Sequence, residues 1–281
     1  MSTHTRLQRR ALLRSRLLHE PYHLARSHVL AVGSDDVVVP APSDAQSRLE
    51  GAVFHGLGYL HAVGGYPDDY RIHRLLPTEH ALEVWLTKHS DGFLRGLVGA
   101  LPTWYPEDRV LANGHPGLRY RSIRTQPDTV EFFLLHEQCA VRVHGVDVAA
   151  FEDACAVHDP EEDLQADRTG HTLSAAELGE LEHRDRRVDA LISPLIRRLG
   201  ALGTDEVRSI DLWRTHPDVL SVEKFTADRS ERTFRRLLAD LISPHLRPQM
   251  TVVKTDGAAG YRTVFRVDGH TAQLHLRVQS S

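Results

Sequence analysis

The sequence predicts an α+β protein: helices followed by an antiparallel β-meander in each half, with a basic helical arm at the N-terminus. Apolar residues switch from helical spacing to alternation near residue 118 and again near residue 250. Between the two runs, Asp159, Glu161, Glu162, Asp163 and Asp167 form an acidic stretch with no base before Arg168, which marks an internal boundary. The division that follows is an arm over 1–32, a linker over 33–47, a helix-plus-sheet domain over 48–157, an acidic linker over 158–173 and a helix-plus-hairpin domain over 174–281.

The arm opens with Leu7, Ala11 and Leu18 on one helical face and Arg9 and Arg16 on the other. His19, Glu20 and His23 then spell H-E-x-x-H, the pattern by which one helix presents two zinc-binding histidines and a general base. Pro21 defeats that reading. Inside a helix, proline removes a hydrogen bond and clashes with the preceding turn, yet it suits the start of a new helix. His19 is therefore expected to end one helix and His23 to lie in the next, which continues through Ala25, Val29 and Val32 to Gly33. No metal site is expected here or elsewhere in the chain.

Ser47 is the expected cap of a helix over 48–62 that ends at Gly64-Gly65. A second helix is expected from Thr78 through Leu82, Trp85 and Leu86, and a shorter one over 93–101. Pro102, Pro106, Gly114, Pro116 and Gly117 mark a long irregular loop, followed by strands at 118–124, 130–135 and 138–144. Arg119, Arg121, Arg142 and His144 fall on the alternation away from Val141 and Val143, so one face of this sheet carries basic residues, most simply as its solvated side. A helix over 147–157 leads into the acidic stretch, which lacks the spacing and central glycine of an EF-hand.

Beyond Ser174 the pattern is helical to about Pro248. Leu-Ile-Ser-Pro occurs at 191–194 and at 241–244, thin evidence of duplication that a helix meeting a proline explains equally well. Phe234, Leu237, Leu238, Leu241 and Ile242 form the buried stripe of one helix, with Arg229, Arg232 and Arg236 on its other face. Strands at 250–255, 261–267 and 271–278 follow, with Arg262 and Arg266 on one side of the middle strand and an Asp268-Gly269 turn. Helices, an arginine-faced helix and then a hairpin: this order is similar to a winged helix-turn-helix over about 174–268. The resemblance implies a recognition helix, with Arg232 or Arg236 reading bases and the other arginines holding phosphates.

Composition bounds the function. No apolar run reaches membrane-spanning length and no signal-peptide core is present, so a cytoplasmic protein without a membrane partner is expected. Cys139 and Cys155 form neither a C-x-x-C pair nor a disulfide framework. Arginine outnumbers lysine 31 to 3, the bias expected of a GC-rich, actinobacterial genome, which weakens arguments from arginine count alone. The net charge of -4 conceals a +5 arm and a remainder of -9.

A binding or regulatory protein that contacts DNA or RNA through Arg9, Arg16, Arg229, Arg232, Arg236, Arg262 and Arg266 is the leading expectation, with a protein-interaction scaffold as an alternative. The enzyme alternative, histidine-based acid-base or metal-dependent chemistry in a pocket that the sequence does not display, rests on residues placed in loops and turns: His115, His136 and Glu137, with His73, His80 and Glu83 behind them. The chain carries no P-loop, dinucleotide fingerprint or nucleophile elbow, and its residues identify no cofactor.

Overall fold

The computed structural model describes residues 5–32, 37–64, 72–86, 91–105, 107, 109–156, 165–166, 168–183, 189–202, 207–216, 218–226, 230–256 and 261–280. The chain is an α+β protein whose described residues build two five-stranded mixed sheets and one three-stranded sheet. Arg229, most of the acidic stretch and the 257–260 hairpin tip lie outside the described residues.

Helices α1 (Arg6–Leu18) and α2 (Tyr22–Ala31) form the N-terminal pair. Thr5 caps α1 through a reciprocal bond pair with Gln8, satisfying backbone N–H groups that the first turn leaves free. His19 closes α1 in the left-handed conformation at φ 55°, and Pro21 stands immediately before α2. The two histidines of H-E-x-x-H thus belong to different helices. The glutamate between them is structural: Glu20 is buried and accepts from Arg14 at 2.8 and 2.9 Å, with His28 Nδ1 3.0 Å away. The helix pair packs on the body of the protein, since Ala11, Leu17 and Leu18 are fully buried and Arg14 donates to the Val38 carbonyl at 2.6 Å.

Helix α3 (Asp44–Gly64) starts four residues earlier than the expected position 48. Ser43 caps it instead, its hydroxyl accepting from Gln46 N at 3.2 Å, while Ser47 donates sideways to the Ala190 carbonyl. Residues 72–86 correct the sequence reading. They form the hairpin β1 (Ile72–Pro77) and β2 (Ala81–Leu86), not a helix. Thr78 closes the turn by accepting from Ala81 N at 2.9 Å, and Leu82 and Val84 point inward while Ala81, Glu83 and Trp85 point out, a period of two. Next come α4 (Asp91–Gly99), a short pair β3 (Thr103–Tyr105) and β4 (Val110–Asn113) within the expected loop, and the meander β5 (Leu118–Ile123), β6 (Gln126–Leu134) and β7 (Ala140–His144). Gly114 is required where it stands: its φ is +82°, and a Cβ there would lie 2.1 Å from the Leu101 carbonyl oxygen.

After α5 (Val148–Ala156), β8 (Gln165–Ala166), α6 (Ala175–His183), a 3-10 turn at 189–191, α7 (Ile192–Ile196) and α8 (Leu199–Leu202), the second half repeats the first. Here too an expected helical region is a hairpin, β9 (Val207–His216) with β10 (Val219–Thr226). Helix α9 (Glu231–Leu241) and the meander β11 (Met250–Asp256), β12 (Tyr261–Val267) and β13 (Gln273–Ser280) complete the chain.

The sheet orders are β1-β2-β7-β6-β5 and β9-β10-β13-β12-β11. Each is hairpin, helix, meander, with the last strand running parallel to the second hairpin strand. The register repeats as well. Glu83 of β2 lies opposite Arg142 of β7, and Glu223 of β10 lies opposite Arg277 of β13. Both pairs are ionic, at 2.7 and 3.3 Å. The two Leu-Ile-Ser-Pro copies are not equivalent, since one enters α7 and the other leaves α9, so the repeat lies in topology and register.

A continuous apolar cluster spans both halves, from Val84 and Phe132 to Leu220 and Phe265. In the interior Glu50 of α3 and Arg197 beyond α7, both with fully buried side chains, bond at 2.6 and 3.0 Å. Gln46 and Ser193 also donate to Glu50, and Arg197 donates to the Pro40 and Thr78 carbonyls at 3.0 and 2.8 Å. One ion pair thereby ties together α3, α7, the 37–43 segment and the first hairpin.

Candidate nucleic-acid interface

Helix α9 is amphipathic as its sequence requires. Ser230 caps it, accepting from Thr233 N at 3.2 Å, while Phe234, Leu237 and Leu241 are buried and Phe234 stacks on Tyr261 with ring centroids 4.2 Å apart. Arg232 and Arg236 are exposed on successive turns, and Arg235 is spent on an exposed pair with Glu231 at 2.6 Å. One turn beyond Arg236 stands Asp240, which binds Arg16 of α1. Burial pushes the Asp240 carboxyl above the usual carboxylate range, opposed by the charges of Arg16 and Arg236. That contact joins two arginine-bearing helices from opposite ends of the chain. Arg9, two turns before Arg16 on the same stripe of α1, is exposed.

The remaining basic residues separate from this face. Arg262 and Arg266 are exposed on β12, but they alternate with Thr263, Phe265 and Val267, which are buried on the side that α9 covers. Helix arginines and hairpin arginines therefore lie on opposite sides of the second sheet. The winged-helix arrangement is overturned on two counts: a β-hairpin precedes α9, and the hairpin after it is part of a five-stranded sheet. Arg10 and Arg14, which the sequence counts toward the charge of the arm, are buried and donate to the Val37 and Val38 carbonyls.

The outer face of the first sheet is charge-compensated. Arg119 turns into a fully buried pair with Glu177 at 2.8 Å, beneath the start of α6. Arg121, Glu131, Arg142 and Glu83 are neighbours across β5, β6, β7 and β2, so four strands contribute one row of alternating charge. Arg121 pairs with Glu131, and Arg142 donates to Glu131 at 2.5 Å and to Glu83 at 2.7 Å. In the adjacent row Thr129, His144, Trp85 and Arg74 follow one another; His144 stacks on Trp85 at 4.6 Å and the Arg74 guanidinium lies 3.5 Å from the Trp85 ring centroid.

His144 Nε2 lies 2.5 Å from Glu83, and its Nδ1 is 2.9 Å from the Thr129 hydroxyl. Hydroxyl, imidazole and carboxylate stand in the order of an activated nucleophile. Thr129 is only 3% exposed, however, so its hydroxyl orients the imidazole and is not open to a substrate.

The bond from His144 lowers the Glu83 carboxyl below its ordinary value near 4.5; partial burial opposes this, and Arg142 adds to it. A lowered folded value means that the stability gained from ionised Glu83 is present above the unfolded pKa and lost as pH falls through the folded one. The urea-midpoint gap between the wild type and Glu83→Gln is therefore expected to narrow from about pH 7 to about pH 3. An unchanged gap would show that Glu83 does not titrate as part of this row.

Of the acid-base candidates, His115 is buried with Nδ1 2.9 Å from the Pro116 carbonyl, which makes it a loop anchor. His136 is an exposed turn residue at φ 66°. Glu137 pairs with Arg48 at 2.7 Å and, with His80, borders a depression on the first sheet. His73 is exposed on β1. The sequence reading missed Trp85, Thr129 and Glu131. Alternation over 129–133 could have placed Glu131 beside Arg121 and Arg142, but β2 was hidden by its helical reading.

Both cysteines are free and buried, and burial pushes each thiol up. Among the described residues no three histidine, cysteine or acidic side chains converge as a metal site, and no helix is long and apolar enough to cross a membrane. Comparison with protein-family models, curated proteins and solved structures finds no match to the chain.

Proposed function

We propose that this is a cytoplasmic binding or regulatory protein that holds a nucleic-acid phosphate backbone on the face formed by α1 and α9. The observation that supports it is the Arg16–Asp240 contact, which joins α1, carrying exposed Arg9, to α9, carrying exposed Arg232 and Arg236. Guanidinium groups suit phosphate because they offer paired donors in a planar fork and remain charged. The contacts are to the backbone, so affinity depends on charge and salt more than on base sequence.

Fluorescence anisotropy with labelled duplex DNA and single-stranded RNA at about 50 mM salt tests this, since phosphate contacts are strongest at low ionic strength. Binding is expected for the wild type and for Arg262→Ala/Arg266→Ala, whose side chains lie across the sheet. It is expected to fall at least about tenfold in Arg232→Ala/Arg236→Ala. Absence of binding by the wild type to both oligonucleotides, or equal loss in the two variants, would remove the reading.

A further inference from the structure

We infer that the outer face of the first sheet carries a second binding site, for a small organic anion with a flat apolar body and a carboxylate or phosphate head. The site is a depression of about 340 Å³ over β2, β6 and β7. Its cause is local. Ala81 and Ala140 are register partners across the parallel β2–β7 pair, two methyl groups in a sheet whose next rows carry Glu83 with Arg142 and Trp85 with His144. Phe133 lies beside them, and Arg121, Arg142 and His80 complete the wall. The size falls at the low end of the roughly 300–1,000 Å³ typical of small-molecule sites.

The preference for an anion follows from counting donors and acceptors. Both oxygens of Glu131 are engaged, one by Arg121 and the other by Arg142. Both oxygens of Glu83 are engaged as well, by Arg142 and His144. Glu137 at the rim is held by Arg48. The Glu131 and Glu83 carboxylates are thus occupied from within the protein, and Glu137 is half engaged at the rim, while the guanidiniums are not exhausted. Arg142 uses Nε and Nη1, and its Nη2 has no hydrogen-bond partner among the described residues. Arg121 is two-thirds exposed and lies with its guanidinium 5.3 Å from the Phe133 ring centroid, beside the apolar floor. A ligand that accepts hydrogen bonds at one end and covers Phe133 and the alanines with the other satisfies both halves of the site. A cation would meet the guanidinium donors and, among the carboxylates, only the rim oxygen of Glu137 that Arg48 leaves free.

The site lies on the first sheet and does not depend on the α1–α9 face. Its test is a protein-observed NMR titration with benzoate, phenyl phosphate, inorganic phosphate and benzylammonium. Saturable shifts are expected for benzoate or phenyl phosphate at about millimolar concentration or below, a range suited to ligands of so few atoms. Inorganic phosphate should bind at least several-fold more weakly because it leaves the floor uncovered, and benzylammonium should not saturate. Stronger binding by benzoate or by phenyl phosphate assigns the head group. Ala81→Leu, which fills the depression without altering a charge, is expected to weaken binding at least about tenfold, and Arg121→Gln several-fold. If Ala81→Leu fails to fold, Arg121→Gln carries the test alone. Benzylammonium binding as well as benzoate, affinity unchanged in the folded variants, or no saturation by either organic anion up to about 10 mM would overturn the assignment.

Discussion

Glu50→Ala is expected to destabilise the protein by about 3–5 kcal/mol, because it leaves the Arg197 guanidinium buried without its counter-charge. Both side chains have no exposed surface, and four elements meet at this pair. Removing both charges has a different consequence. A well-packed apolar pair avoids burying two ions, so Glu50→Leu/Arg197→Met is expected to recover most of the loss even though four further hydrogen bonds go with it. Urea unfolding of Glu50→Ala and of the double variant gives the comparison. A loss under about 1 kcal/mol in Glu50→Ala would mean that the pair is solvated and that α3 and α7 are not joined through it.

Gly200→Ala is expected to cost about 3 kcal/mol through a clash of backbone with backbone. A Cβ at this position of α8 would lie 2.0 Å from the Arg16 carbonyl oxygen and 2.7 Å from that of Leu17, so α1 must move away. Gly179→Ala is the matched control. It lies within α6 with nothing near its added Cβ, and relief of glycine's backbone freedom is expected to stabilise by about 0.5–1 kcal/mol. Thermal unfolding of the two variants should give shifts of opposite sign. Equal small shifts would contradict the close approach of α1 and α8.

The elements legible in the sequence are those whose pattern is local. The break at Pro21, the stripe of α9, and the meanders β5–β7 and β11–β13 follow from spacing that a short window contains. The hairpins β1–β2 and β9–β10 did not, and they occupy equivalent places in the two halves. Leu82, Glu83, Trp85 and Leu86 are acceptable in a helix, and it is the parallel partner strand, about 60 residues later, that fixes them as β. Ser43 displaced Ser47 as the cap of α3 by a register that spacing alone does not settle.

Burial of arginine was equally hidden. Arg14, Arg119, Arg197 and Arg198 resemble the surface arginines in sequence, and each is buried because carboxylates or carbonyls brought from elsewhere in the chain receive it. Arg9, Arg232 and Arg236 were foreseen as an exposed basic set. Their junction with Arg16 was not, because its other half, Asp240, is separated from Arg16 by more than 200 residues.

The salt dependence of nucleic-acid binding tests the α1–α9 face most directly. Each phosphate contact contributes about 0.9 to the slope of log affinity against log salt for duplex DNA, so the slope counts the contacts made. The wild type is expected to give a slope of about -3, matching Arg9, Arg232 and Arg236, and Arg232→Ala/Arg236→Ala a slope shallower by about 2. A wild-type slope near zero, or a slope that this double substitution leaves unchanged, would contradict the account.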